Sequence, residues 1–370
     1  MTICYFGDYD SNYARNRVLL KGLKMNGVEI LECVSAGSGL KKYWELFKKH
    51  HAIKNQYDIL IVGQSMKSRL VWLAKLLSRK KIVWDAFYSF YDKYVYDSKL
   101  IAANSIKGRY YWIQEYLACK MADVILLDTN EHIKYFITEF NAPESKFIRV
   151  LVGTDIEPDI QKNIAPQHTN KLEYVGMSRI SEVPLTEEDG AIFLVHFHGK
   201  YIPLQGVHYI IKAAKLLEAH SDIKFNLIGS GQTYKSDMAL AEELDIQNIN
   251  FIGRVTFEKL TELMRQADLC LGIFGNTPKS YRVIPNKVYE AVALKKPIIT
   301  AKTPAIQELF IDHQDMLLCQ SASARDLADK ILELKNNPAL AESLAKSAYF
   351  KFKKYATPQI IAKDLIDKLS

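Results

Sequence analysis

Residues Tyr281 to Thr300 read YRVIPNKVYEAVALKKPIIT, and AKTPAIQE follows directly. The pattern predicts a loop, a short helix, a buried strand and the start of another helix. Pro285 suits the first turn of a helix, where no intrahelical N–H is needed. From Asn286 to Leu294 the apolar Val288, Ala291 and Leu294 recur at helical spacing. Lys295 and Lys296 fall at the helix C-terminus, where the dipole favours cations. Pro297 stops the helix, and Ile298 to Thr300 enter a sheet. A helix start therefore faces the basic, irregular segment GNTPKSYRVIPNK, residues 275–287. Free backbone N–H groups, with Lys279, Arg282 and Lys287 expected within reach, make this an anion site. Glu290 lies one turn into the helix, placed for hydroxyls beside a bound phosphate.

Composition sets the frame around that stretch. The chain has 370 residues, 48% hydrophobic and 25% charged, which is ordinary for a soluble globular protein with room for two cores. No apolar run approaches a membrane span. The chain opens directly on a strand, MTICYFGDY, so no leader peptide is expected. Cys4, Cys33, Cys119, Cys270 and Cys319 are scattered without metal-ligand spacing, so buried reduced thiols in a cytoplasmic protein are expected, with no metal site. Charge is uneven: residues 41–120 carry 16 Lys+Arg against 6 Asp+Glu, a balance of +10. That excess points to an anionic partner for the first half. Nucleic acid is disfavoured, because its recognition motifs are absent.

Strands and helices alternate along the whole chain. Strands are predicted at Thr2–Phe6, Val28–Cys33, Tyr57–Val62, Lys81–Trp84, Asp123–Leu127 and Lys146–Val152, which is a βα series with a parallel sheet. The loop after the first strand contains Tyr13, Arg15 and Asn16 at a helix start; they offer contacts to an acceptor or serve as turn and cap residues. Residues 40–53, LKKYWELFKKHHAI, form an amphipathic helix. Leu40, Tyr43, Trp44 and Phe47 share one face bordered by lysines. It reads as a packed helix with a basic flank, or as a contact with an anionic membrane surface. Asp85 leads a polar cluster after the fourth strand, suited to a substrate or to capping. Eleven aromatics fall between Trp84 and Tyr116. Asp128 or Thr129 caps the next helix, with His132 in its first turn.

From Glu157 to Asp189 periodicity fails, and a linker is expected. A second βα series follows, with strands at 191–197, Lys224–Ile228, Ile249–Ile252, Asp268–Phe274, Pro297–Thr300 and Met316–Cys319. Gly229-Ser230-Gly231 ends one strand and Gly253-Arg254 another, where backbone can approach a ligand. Amphipathic helices close the chain at 338–354 and 358–369.

Glu290-Ala291-Val292-Ala293-Leu294-Lys295-Lys296-Pro297-Ile298-Ile299 resembles the donor-site segment of GT-B glycosyltransferases of the retaining family-4 type, the glycosyl transferases group 1. That pattern carries an earlier Glu where this chain has Arg282. HGKYIPLQG, residues 198–206, is similar to the family's G-R-x-x-P-x-K-G: Gly199, Pro203 and Gly206 match, Lys200 stands at the Arg position and Gln205 at the Lys position. Gly153-Thr154-Asp155 resembles the turn where the first domain ends.

The resemblance implies an α/β GT-B fold, two Rossmann-like domains facing a central cleft: an acceptor domain over 1–165, a donor domain over 166–354, and a last helix of about 355–370 packed back on the first. It implies transfer of a hexosyl or N-acetylhexosaminyl group from a nucleotide-diphosphate sugar to a glycan or lipid-linked saccharide. No resident cofactor or metal is implied, and the setting would be polysaccharide biosynthesis at the inner face of a membrane. Donor contacts fall on Gly199, Lys200, Gly231, Arg254, Asn286, Lys287 and Glu290, acceptor contacts on Tyr13, Arg15 and Asn16, and a catalytic polar group on Asp85. The departures at Arg282 and Gln205 leave open a non-catalytic partner subunit of the same fold. A GT-B sugar epimerase is the other alternative.

Overall fold

A computed structural model describes residues 1–65, 67–157 and 192–370. The chain divides into two compact units. The first comprises Met1–Asp155, Tyr281–Asn286 and Phe352–Ser370; the second comprises Ile156–Ser280 and Lys287–Lys351. The division falls after Asp155, where the sequence reading set it at 165/166. The expected linker lies almost wholly outside the described residues.

In chain order the first unit runs β1 (Thr2–Gly7), α1 (Ala14–Met25), β2 (Glu29–Val34), α2 (Gly39–Ile53), β3 (Ile59–Val62), α3 (Arg69–Leu77), β4 (Lys81–Phe87), α4 (Ile106–Met121), β5 (Val124–Leu127), α5 (Asn130–Phe140) and β6 (Phe147–Arg149). The strands pair in parallel in the order β2-β1-β3-β4-β5-β6. Parallel neighbours need crossovers, and the helices supply them. Helices on both faces bury both faces of the sheet, so the central strands β1 and β3 are apolar and buried, while the edge strand β2 keeps Glu29 and Glu32 exposed. Alternate residues divide between the two sides: Cys4, Phe6, Leu60, Val62, Ile82 and Trp84 on one, Ile3, Tyr5, Ile61, Val83 and Leu126 on the other.

The second unit runs β7 (Phe193–His198), α6 (Val207–Leu216), β8 (Ile223–Ile228), α7 (Tyr234–Glu243), β9 (Ile249–Ile252), α8 (Phe257–Gln266), β10 (Leu269–Leu271), α9 (Asn286–Ala293), β11 (Ile298–Ala301), α10 (Pro304–Gln307), β12 (Leu317–Cys319) and α11 (Ala324–Lys335). Its sheet is also parallel, ordered β12-β11-β10-β7-β8-β9. The direction of winding reverses between β7 and β10. At such a switch point the loops beyond the strand ends diverge and leave a crevice for a ligand.

The helices α12 (Pro338–Tyr355) and α13 (Pro358–Leu369) close the chain. Helix α13 lies against α1 in the first unit, with Ile361, Ala362 and Leu365 packed among Val18, Leu19 and Leu23. Gly22 permits this closeness. A Cβ there would stand 2.0 Å from the carbonyl oxygen of Pro358 and 2.8 Å from Cβ of Ala362.

Helix α2 packs on the core, but not through the whole of the expected stripe. Its buried residues are Lys42, Leu46 and His50. Leu40 is 87% exposed, Trp44 57% and Phe47 40%. The inward face places Leu46 in the core, with Tyr43 half-buried against it, and adds polar bonds: Lys42 pairs with Asp8, and His50 Nε2 lies 2.6 Å from the Tyr57 hydroxyl. Trp44 and Phe47 stack on each other, and Lys48 lies over the Trp44 ring.

Candidate functional site

The second sheet presents the ends of β7, β8 and β9 together. Gly199 N–H donates to Ile228 O, Gly229 N–H donates to Ile252 O, and Tyr201 bridges to Gly231. These loops lie backbone on backbone. A Cβ on Gly229 would sit 2.0 Å from Gly199 O, and the Gly229 φ of 132° is one that side chains rarely allow. Arg254 Nε donates to Ser230 Oγ at 2.9 Å, tying the loop after β9 to the one after β8. Lys200 is exposed.

Helix α9 brings its first turn to the same edge. Asn286 opens it, and Lys287 and Glu290 follow three positions apart, so both lie on one side of the helix. Both are buried, at 6% and 7% exposure. Lys287 Nζ donates to Gln205 Oε1 at 2.6 Å and stands 3.6 Å from the centroid of the Phe197 ring. A Cβ on Gly199 would come within 2.9 Å of that ammonium. Burial pushes the Lys287 pKa well below the ordinary lysine value, and Glu290 partly opposes this. Glu290 Oε2 lies 3.0 Å from His198 Nε2, and His198 Nδ1 lies 3.0 Å from His196 Nε2. Burial, His198 and Lys287 together lower the His196 pKa to about 2, so this ring is neutral.

Gly199, Lys287 and Glu290 therefore come together, with Gly231 and Arg254 on the neighbouring strand ends. Arg282 does not join them. Its Nη2 donates to Asp92 Oδ1 at 2.5 Å, its guanidinium covers the Tyr135 ring at 4.3 Å, and its carbonyl accepts from Thr129 Oγ1. All of these partners belong to the first unit. The anion-site reading that placed Arg282 beside Lys287 is corrected accordingly: a buried Asp92 claims the guanidinium.

In the first unit the residues expected at substrates are largely turned to the fold. Arg15 and Asp85 are each 1% exposed. Both Asp85 oxygens accept from Arg15, whose Nη1 also donates to the carbonyls of Val150 and Leu151. This bidentate pair ties α1 to the end of β4 and to the chain leaving β6. A carboxylate in that position serves packing, which replaces the expectation of a sugar contact at Asp85. Asn16 is likewise spent: Oδ1 accepts from Tyr5 Oη and Gln64 N, and Nδ2 donates to the carbonyls of Asp10 and Gln64. Tyr13 remains 36% exposed, with its ring edge-on to Phe87. Phe87 has a φ of 60° beside a register shift in β4, strain of a kind that collects at functional sites. His132 is fully buried with Nδ1 on Asp128.

The sequence reading missed His196, Phe197 and His198. Two histidines at positions i and i+2 in an apolar strand share one face, and that spacing was the available signal. Among the described residues no group of three His, Cys, Asp or Glu side chains is gathered to hold a metal.

Residues 180–351 match the family described as Glycosyl transferases group 1. An uncharacterized glycosyltransferase of Methanocaldococcus jannaschii is 26% identical over 242 residues, 64% of this chain and 62% of that protein. The match thus spans just under two thirds of the relative's own length. The capsular polysaccharide biosynthesis glycosyltransferase CapM of Staphylococcus aureus is 22% identical over 286 residues, 73% of this chain and 68% of CapM. Among solved structures, Anabaena HepE in complex with UDP-glucose superposes with a TM-score of 0.69 at 15% identity, covering 100% of this chain and 99% of HepE. Sucrose-phosphate synthase from Thermosynechococcus elongatus superposes with a TM-score of 0.70 at 14% identity, covering 100% of this chain and 98% of the synthase. The two parallel six-stranded sheets are those of a GT-B fold, and residues 180–351, most of the second unit, match the glycosyl transferases group 1 family.

Proposed function

We propose that the protein transfers a sugar, hexosyl or N-acetylhexosaminyl, from a nucleotide-diphosphate donor to a glycan or lipid-linked saccharide, with retention at the anomeric carbon. The observation that carries the reading is the first turn of α9, where an ammonium and a carboxylate stand side by side beyond the switch point of a parallel sheet. The free amides of that turn and Lys287 would take the diphosphate, with Lys200 adding charge from the β7 loop and Asn286 a polar contact. Glu290 would accept from ribose hydroxyls. Gly199 and Gly231 would let backbone approach the donor, and the loop at Arg254 would meet the base. As the glycosidic bond breaks, negative charge grows on the departing diphosphate, and fixed cations with helix N–H groups stabilise it. This scheme uses no metal and no resident cofactor.

The first unit would take the acceptor, with Tyr13 as its exposed candidate. The outward stripe of α2, flanked by lysines, would rest the protein on an anionic membrane from the cytoplasmic side. Among the described residues no helix is long and apolar enough to cross a membrane. The family relation to CapM supports a setting in polysaccharide biosynthesis.

The test is release of nucleoside diphosphate from a panel of UDP-, GDP- and ADP-linked sugars. UDP-glucose is the first probe, since HepE was solved with it. Slow hydrolysis of one donor is expected, as is faster turnover with the correct acceptor. A second reading, a non-catalytic subunit of the same fold, is favoured by Arg282, which stands at the family's first Glu and is bound to Asp92. Tight donor binding with no hydrolysis would decide for it.

A further inference from the structure

The carboxylate of Glu290 does not stand alone. Three side chains form a line from the interior of β7 to α9: His196, His198 and Glu290, with successive contacts of 3.0 Å and 3.0 Å. A carboxylate only accepts, so His198 Nε2 carries the hydrogen on that bond. The neutral His196 ring then donates from Nε2 to His198 Nδ1. This arrangement leaves one buried ring atom without a partner, His196 Nδ1, and leaves it as a lone pair. The opposite sense would bury an N–H with no acceptor, which costs more. The chain of bonds therefore has one direction, toward Glu290.

We infer that His198 is the positioning residue for the donor-binding carboxylate, holding Oε2 of Glu290 so that Oε1 meets the ribose hydroxyls of a nucleoside diphosphate. The inference rests on the donor-site reading above and goes beyond it by naming what orients Glu290. His198 touches no donor atom in this scheme; it acts through the carboxylate. With Oε2 occupied by an N–H that cannot rotate away, Glu290 has one preferred rotamer, and little ordering is left for the donor to impose on binding. His196 fixes the His198 ring in turn, as an outer partner fixes a ligating histidine. The rest of the neighbourhood is consistent: Lys287 is held by Gln205 and Phe197 and does not compete for Glu290.

The test is a cycle of protein and ligand changes. Affinities are measured for UDP, GDP and ADP and for the matched 2′-deoxy diphosphates, on wild type, Glu290→Ala, His198→Ala and His198→Gln. Wild type is expected to prefer the best ribonucleotide over its deoxy form. In His198→Ala that ribonucleotide should weaken by about tenfold while the deoxy form changes little, because the lost interaction is a charge-assisted hydrogen bond acting through the ribose. His198→Gln, whose amide can donate to Glu290, should recover most of the loss. Equal weakening of ribo and deoxy ligands in His198→Ala would mean a general structural defect and would overturn the inference. So would wild-type binding in that variant while Glu290→Ala loses the ribose preference; this outcome spares the donor-site reading. No effect of Glu290→Ala, or no binding by any of the three diphosphates, would overturn the donor-site reading itself and this inference with it.

Discussion

The ammonium of Lys287 stands 2.6 Å from the amide oxygen of Gln205, on residues 82 positions apart that the loop after β7 and the first turn of α9 bring together. A neutral amide satisfies one N–H of the ammonium without cancelling its charge. Among the described residues Lys287 is therefore buried without a direct ionic partner, and burial pushes its pKa down. A diphosphate would supply the missing charge.

That state makes binding a proton-linked event. Between the lowered folded pKa and the ordinary lysine value, the free folded protein carries fewer protons at Lys287 than the unfolded chain. Its stability at this site accordingly rises with pH across the window and is lost as pH falls through the folded pKa. A bound diphosphate raises the pKa again, so a proton is taken up. Titration calorimetry within that pH window, in two buffers of different ionisation heat, should show net proton uptake on diphosphate binding. Lys287→Met should show none. Equal apparent heats for wild type in both buffers would contradict the assignment.

The Arg15–Asp85 pair separates a structural from a catalytic role. Removing the Asp85 charge strands the buried Arg15 guanidinium, which then keeps only the carbonyls of Val150 and Leu151 as full acceptors. Asp85→Asn should therefore cost about 3–5 kcal/mol in denaturant unfolding. A variant of unchanged stability with abolished turnover would instead restore Asp85 to the sugar.

The outward stripe of α2 predicts attachment to anionic vesicles. Lysines near such a surface contribute about 1 kcal/mol each, and Trp44 and Phe47 add an apolar anchor. Lys42 is left out of the test because its pairing with the buried Asp8 is structural. Flotation with anionic vesicles should be lost when Trp44→Ser, Phe47→Ser, Lys41→Gln and Lys48→Gln are combined, and wild type should detach as salt rises. Donor hydrolysis should survive. Flotation of the combined variant equal to wild type would remove α2 from the membrane contact.

Much of the fold was legible because buried parallel strands are short apolar runs, and each of the predicted runs coincides with an observed strand to within a few residues. Helix α4 was read only as a crowd of aromatics: Tyr110, Tyr111, Trp112 and Tyr116 point to several sides, so no apolar period stands out. Helix α7 was passed over because its ten residues, YKSDMALAEE, have only a weak apolar face. Residues Lys287 and Glu290 were legible from the helix start itself. Their partners Gln205 and His198 were not, because they come from another strand end and only topology joins them. Arg282 and Asp85 show the same limit in reverse: each carries the right chemistry for a ligand, but a distant buried charge claims it.

The central claim is that the first turn of α9 holds the donor. Its most direct test is equilibrium binding of UDP-glucose and of the best diphosphate from the UDP, GDP and ADP panel to wild type, Glu290→Ala and Lys287→Met, with thermal unfolding recorded for each. The account predicts that both variants stay folded and that each loses at least about tenfold in affinity, the size expected for a hydrogen bond to a charged group. Folded variants that bind as tightly as wild type would contradict it.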